Sequence, residues 1–244
     1  MKSVLILGAG SDVGVALAKV FAQQGATVTL AGRDIPYLET IAADLRIRYT
    51  RASVYVQPFD AVAYDTHAAF YAGLPQASDV TICVFGYLGD QEKAQQDFAE
   101  SRKIIESNYV GAVSILNVVA EDYQRKGSGV IVGVSSVAGD RGRQSNYVYG
   151  SAKAGFTAYL SGLRNRLVKN NVHVMTLKPG FIKTKMVAGL HTPPALTALP
   201  DKLAAYVYKA IGKKRNVVYY LPLWRYIMTI IVLIPESIFK KLKL

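Results

Sequence analysis

Short apolar runs alternate along this chain with longer stretches of helical period. The runs fall at residues 4–7, 27–31, 54–57, 80–85, 130–134 and 172–177 and are rich in Val, Ile and Leu. Nearly unbroken hydrophobicity over so few residues marks strands buried on both faces. Between the first two runs, Val15, Leu17, Ala18, Phe21 and Ala22 recur at helical spacing over residues 14–24. Residues 35–45 repeat that pattern, and several later runs are separated by stretches long enough for a crossover helix. Alternating strand and helix with right-handed crossovers predicts an α/β fold, a doubly wound Rossmann parallel sheet in a single domain.

The alternation predicts a nucleotide-binding domain over residues 1–216. Residues 184–205 interrupt it with Thr192-Pro193-Pro194 and Leu199-Pro200. A loop of that length after the last nucleotide-side motif reads as a substrate lid. Residues 217–244 read as a final strand followed by an apolar, basic tail of amphipathic helices.

The chemistry begins at the first strand–helix junction, Gly8-Ala9-Gly10-Ser11-Asp12-Val13-Gly14. Glycines there let the backbone approach a pyrophosphate at the positive end of the helix. A plain tight turn is the alternative, and the spacing is not that of G-x-G-x-x-G. The second strand ends Gly32-Arg33-Asp34. Arg33 suits the 2′-phosphate of NADP(H). In the alternative, Asp34 takes a ribose hydroxyl and the cofactor is NAD.

Tyr149 and Lys153 stand at i and i+4 and share one helix face. With 16 tyrosines the pair alone is weak, but Ser136 lies thirteen residues upstream, at the end of an apolar run. A free phenol titrates near 10, and a neighbouring ammonium is expected to lower that value. Tyr149 is then a proton donor to a carbonyl oxygen, Ser136 a hydrogen-bond donor to the same oxygen, and Lys153 a ligand of the nicotinamide ribose.

With these residues in place, the chain resembles the short-chain dehydrogenase/reductase superfamily over nearly its whole length. The resemblance implies Asn108 as a fourth catalytic residue, positioning a water in a proton relay through Lys153. It implies Asp60 as an adenine contact. It also implies that Pro179, Gly180, Ile182 and Thr184, in a P-G-x-x-x-T stretch, cradle the nicotinamide amide and the diphosphate. Two positions depart from the family. Asp12 replaces the middle glycine of the G-x-x-x-G-x-G turn, and must turn away or cap the helix. Phe85-Gly86 stands where the family has an asparagine motif, and is expected to narrow the adenosine side.

Charge and cysteine content change the picture at one end only. The single cysteine, Cys83, excludes an intramolecular disulfide and suits a reducing compartment. One cysteine and three scattered histidines offer no metal site. The net charge is +12, and residues 201–244 carry nine Lys/Arg against Asp201 and Glu236, or +7. No nucleic-acid recognition motif accompanies the charge. Instead it brackets the apolar residues 217–234, too interrupted by Pro222 and Arg225 to span a bilayer. Two short helices lying in a membrane interface, with Trp224 at headgroup level, fit this pattern. Packing on the domain or on another subunit is the alternative.

The tail and Phe85-Gly86-Tyr87-Leu88-Gly89-Asp90-Gln91 resemble the decaprenylphosphoryl-2-keto-pentose reductase group. That likeness implies a lipid-linked keto-sugar substrate, a partner oxidase that makes the ketone, and a peripheral position on the cytoplasmic face of the membrane. The superfamily resemblance implies a homo-oligomer.

Overall fold

The computed structural model describes residues 1–189 and 192–242; His191, within the expected lid, and Lys243, within the basic tail, lie outside the described residues. In chain order the elements are β1 (Ser3–Leu7), α1 (Asp12–Gln23), β2 (Thr27–Gly32), α2 (Ile35–Arg48), β3 (Val54–Pro58), α3 (His67–Ala72), β4 (Val80–Cys83), α4 (Gln91–Gln96), α5 (Phe98–Ile105), α6 (Gly111–Lys126), β5 (Gly129–Val134), α7 (Tyr147–Leu167), β6 (Val172–Pro179), β7 (Phe181–Ile182), β8 (Thr197–Ala198), α8 (Pro200–Gly212), β9 (Val217–Tyr220), α9 (Leu223–Leu233) and α10 (Glu236–Phe239). A π-helical turn, Glu106–Val110, joins α5 to α6.

Seven strands form one parallel sheet in the order β3-β2-β1-β4-β5-β6-β9. The apolar runs are strands because both faces are covered. On one face Val4, Ile6, Val28 and Leu30 pack with Leu17 and Phe21 of α1 and Val207 of α8. On the other, Leu5, Leu7 and Ile131 pack with Ile115 and Val119 of α6 and Phe156 and Leu160 of α7. Strand order reverses between β1 and β4, which opens a crevice at the carboxyl edge of the sheet where a dinucleotide binds in such folds.

Three boundaries differ from the expectations. The first helix starts at Asp12 rather than Gly14, because Ser11 caps it by accepting from the Gly14 N–H at 3.1 Å. The irregular segment expected to run to 205 stops at 199, because Pro200 opens α8, where its fixed φ and missing N–H suit a first helical turn. Its base is tied down: β7 and β8 pair in parallel, Phe181 with Thr197 and Ile182 with Ala198.

The third difference is the tail. Strand β9 joins β6 in the main sheet, and α9 packs back on the domain through Trp224 and Met228, both buried. Trp224 therefore does not lie at a headgroup level. It is one of the two buried residues of α9, and its indole N–H donates to the Leu196 carbonyl at 3.1 Å. Arg141 fastens the far end. Its guanidinium donates to the Ile231 and Ile234 carbonyls at 2.7 and 2.6 Å, pairs with Glu236 at 2.8 Å and stacks on Phe239. Among the described residues no helix is long and apolar enough to cross a membrane.

Candidate active site

One cleft opens at the carboxyl ends of β1, β4, β5 and β6. It is lined by Gly10, Ser11, Asp12, Val13, Phe85, Gly86, Ser136, Tyr149, Lys153, Pro179, Gly180, Ile182 and Thr184, among others. Thirteen of the residues singled out in the sequence thus share one wall system. Gly8, Gly14, Asn108, Arg33 and Asp60 stand outside its lining.

The two outer glycines shape the turn. Gly8 has φ +89°, and a Cβ there would lie 2.7 Å from the Phe85 backbone nitrogen. A Cβ on Gly14 would lie 2.7 Å from the Gly8 carbonyl oxygen. Both positions require glycine because strand, turn and helix pass within contact of one another. The middle of the turn is open: Gly10 has Tyr37 and Leu38 as its nearest neighbours, at 3.6 Å or more. The first turn of α1 consequently borders the cleft through Asp12 and Val13, next to Gly10 and Ser11.

Asp12 turns away. Its carboxylate accepts the Lys185 N–H at 2.8 Å, from the segment after Thr184. Capping is done by Ser11, so of the two outcomes open to Asp12 the structure shows the first. A carboxylate committed in this way leaves the helix N-terminus compatible with an anion.

At the end of β2, Asp34 caps α2, accepting from the Tyr37 N–H at 3.1 Å. Arg33 beside it is exposed. Asp60 follows β3, where its side chain accepts from the Val62 N–H at 3.1 Å and its carbonyl is bonded by His67 at 2.9 Å.

Ser136 follows β5 and takes an extended backbone; its hydroxyl oxygen accepts from the Ala138 N–H at 3.1 Å. The hydroxyl hydrogen is thereby left to donate elsewhere. Tyr149 and Lys153 sit in the first turns of α7, with the Lys153 ammonium 5.7 Å from the Tyr149 ring centroid. Lys153 is 4% exposed and donates to the Val134 carbonyl at 3.1 Å. Gly139 lets α7 approach: a Cβ on it would lie 2.7 Å from the Ala154 nitrogen.

The expected lowering of the Tyr149 phenol by Lys153 is not what the structure shows. Burial pushes Tyr149 up to about 12, opposed by the neighbouring Ser136 hydroxyl. Burial also pushes Lys153 down to about 8, opposed by Cys83. Burial is the leading cause for both groups, and the Lys153 ammonium donates to the Val134 carbonyl.

Asn108 lies behind this pair, in the π-helical turn. Its Nδ2 donates to the carbonyls of Tyr87 and Ile104 at 2.6 and 2.8 Å, and its Oδ1 accepts from the Tyr87 N–H at 3.3 Å. A Cβ on Gly86 would lie 2.7 Å from that Oδ1 and 3.3 Å from Lys153 Nζ. Gly86 therefore permits Asn108 and Lys153 to converge. Phe85 packs under the turn and against Phe59, ring centroids 5.7 Å apart.

Sequence reasoning missed Arg143, Asn146 and Lys185 and read Trp224 as a membrane contact, yet all four are in the cleft lining. Lys185 stands over the Tyr37 ring at 5.8 Å. No short motif surrounds these residues; they reach the cleft through the loop before α7, the segment after β7 and the return of α9.

A parallel Rossmann sheet with a glycine turn at α1 and a Ser, Tyr and Lys at one cleft defines a dinucleotide-dependent oxidoreductase. The short chain dehydrogenase family model matches residues 2–194, and the chain belongs to that family. It is similar to an uncharacterized oxidoreductase of Mycobacterium tuberculosis, 35% identical over 242 residues, covering 98% of this chain and 96% of the relative. An uncharacterized oxidoreductase of Streptomyces coelicolor is 32% identical over 245 residues, covering 99% and 96%. Among solved structures, a short-chain dehydrogenase from Sphingobium yanoikuyae in complex with NADPH superposes with a TM-score of 0.81 at 22% identity, covering 97% of this chain and 98% of that one. Levodione reductase does so with 0.82 at 23%, covering 90% and 95%.

Proposed function

We propose that this short-chain oxidoreductase is an NADPH-dependent ketoreductase acting on a lipid-borne ketone, in the narrowest reading a polyprenylphosphoryl 2-keto-sugar. The observation that carries the reading is the cleft itself. Ser136, Tyr149 and Lys153 share it with the N-terminus of α1, and its remaining wall includes Leu88, Val137, Phe181, Met186 and Trp224. A dinucleotide spanning from α1 to Lys153 leaves an apolar chamber for the substrate.

The cofactor supplies the hydride to the carbonyl carbon. Tyr149 donates its proton to the carbonyl oxygen, a role that suits a phenol held protonated by burial. Ser136 donates a hydrogen bond to the same oxygen, where negative charge grows in the transition state. Lys153 holds the ribose hydroxyls beside Tyr149. Asn108 fastens the loop after β4 to the end of α5; with its Nδ2 committed to two carbonyls, a relay water falls to its oxygen acceptors. Gly10, Ser11, Val13 and Gly14 take the diphosphate from one side and Pro179, Gly180, Ile182 and Thr184 from the other. Asp60 and Phe85 border the adenosine. Arg33 takes the 2′-phosphate, since Asp34 is spent on its helix cap; the NADPH complex of the S. yanoikuyae enzyme agrees with that choice.

The lipid reading rests on the tail. Leu223, Tyr226, Ile230 and Leu233 form an exposed row on α9, and Ile238 continues it on α10. Arg225, Lys240 and Lys241 stand among them. An apolar row with cations beside it suits the inner face of a cytoplasmic membrane, with only the outer residues of 217–244 in contact. An oxidase producing the ketone is the implied partner. Self-association through the α5–α7 face is part of the same proposal, supported by the exposure of Phe98 and Tyr147 there.

The test is loss of reduced-nicotinamide absorbance with a synthetic polyprenylphosphoryl 2-keto-pentose, beside simple ketones and with NADH as control. Turnover of the lipid-linked substrate with NADPH is expected. Turnover confined to soluble ketones removes the lipid reading. Silence on all of them, with tight NADPH binding, removes the enzyme reading in favour of a cofactor sensor.

A further inference from the structure

The cleft that Tyr149 lines also holds a cation with no partner among the described residues. Arg143 lies in the loop between Ser136 and α7, half-buried, and its buried Nε has no hydrogen-bond partner among the described residues. Among the described residues its guanidinium makes no side-chain hydrogen bond and no ion pair. The acid that acts on it, Asp140, is already spent: Lys178 pairs with one carboxylate oxygen and Tyr219 donates to the other at 2.9 Å. Burial accordingly pushes the Arg143 guanidinium below its ordinary value.

Arg141, two residues earlier, marks the contrast. It is saturated by three carbonyls and Glu236. Asn146 repeats the anomaly of Arg143. It occupies the cap position of α7, where Asn ordinarily accepts a backbone N–H, yet it makes no side-chain cap bond and its buried Oδ1 has no partner among the described residues. Both residues line the same cleft as Ser136 and Tyr149. A planar fork of donors beside an idle amide is a receptor for an oxyanion with a neighbouring hydroxyl.

We infer that Arg143 binds an oxyanion carried by the substrate, a phosphate ester in the first instance, with Asn146 taking an adjacent polar group. This deepens the ketoreductase reading and rests on its placing the substrate against Tyr149. The class so named is an apolar or lipid-linked ketone bearing a phosphate, held with its anion at Arg143 and its carbonyl at Tyr149. The uncompensated guanidinium also discriminates, because a neutral ketone leaves it buried without a counter-ion.

The test is equilibrium binding to the enzyme–NADPH complex, so that turnover is not needed to read it. The probes are geranyl phosphate, geraniol and inorganic phosphate, and the proteins are wild type, Arg143→Met and Arg143→Lys. Geranyl phosphate is expected to bind wild type about tenfold or more tightly than geraniol or inorganic phosphate. Arg143→Met is expected to erase that preference and Arg143→Lys to keep part of it, with NADPH affinity and melting temperature unchanged in both. Equal binding of geranyl phosphate and geraniol by wild type overturns the inference, as does failure of geranyl phosphate to bind. So does a preference that survives in Arg143→Met, or inorganic phosphate binding as well as the ester. Loss of NADPH binding in Arg143→Met reassigns the residue to the cofactor. A catalytically silent enzyme that still shows the geranyl phosphate preference separates failure of the reductase reading from failure of this one.

Discussion

The indole of Trp224 occupies the space that a side chain on Gly180 would need. An ideal Cβ on Gly180 overlaps the Trp224 ring, and Phe181 meets the same ring edge-on with centroids 5.6 Å apart. The P-G-x-x-x-T stretch and the C-terminal helix are therefore one packed unit. Gly180→Ala is expected to displace α9, and Trp224→Ala to cost about 3 kcal/mol or more, as for a large aromatic removed from a packed site. Thermal melts and tryptic release of residues beyond Leu221 read both. A Gly180→Ala protein with unaltered melting and unaltered cleavage would refute this coupling.

Asp12 and Lys185 tie the glycine turn to the segment after β7 across 173 residues of sequence. A carboxylate bonded to a backbone N–H holds that segment against the turn. Asp12→Ala is expected to speed tryptic cleavage after Lys183 and Lys185 severalfold in the cofactor-free protein. Asp12→Asn, which keeps an acceptor oxygen, is expected to stay near wild type. Equal protection in all three proteins would mean that the bond does not hold the segment.

The acid–base pair makes a pH prediction. Tyr149, pushed up to about 12, stays protonated across the working range and is ready to donate. Lys153, pushed down to about 8, loses its charge as pH rises through that value. Reduction needs both protons in place, so kcat/KM for reduction is expected to be level below about pH 8 and to fall above it. Tyr149→Phe is expected to lose turnover by several orders of magnitude while still binding NADPH. A rate that climbs from pH 8 to pH 9.5 would place the titrating group elsewhere.

Arg33 is exposed and Asp34 is engaged as a cap. Arg33→Ala is expected to raise the Kd for NADPH tenfold or more and to leave that for NADH within twofold, since a charge-assisted pair to a 2′-phosphate is lost in one case only. Asp34→Ala is expected to destabilise α2 by about 1 kcal/mol without changing the preference. Nucleotide titrations decide it; equal losses for both nucleotides in Arg33→Ala would return the cofactor to NADH.

The sheet and the cleft's reactive residues were legible because their signals are local. An apolar run such as residues 4–7 declares a doubly covered strand. Gly8 and Gly14 declare a turn that admits no side chain, and Tyr149 and Lys153 share a helix face by spacing alone. Local signals also misled where two groups compete. By spacing alone an i, i+4 ammonium draws the phenol down, but burial pushes the phenol up and the ammonium down, and Lys153 donates to Val134.

Other features depend on residues far apart in the chain. Trp224 reads as an interfacial aromatic until α9 folds back and sets it on Gly180. Asp12 reads as an intruder near a phosphate until Lys185 supplies its N–H. Arg143 reads as one cation among 29 until its neighbours are seen to be bonded elsewhere. The layered sheet, the turn and the reactive pair follow from the order of residues alone, because backbone period and sterics act over a few residues. Counter-ion, partner and burial are properties of residues brought together from distant segments, and those were settled by packing.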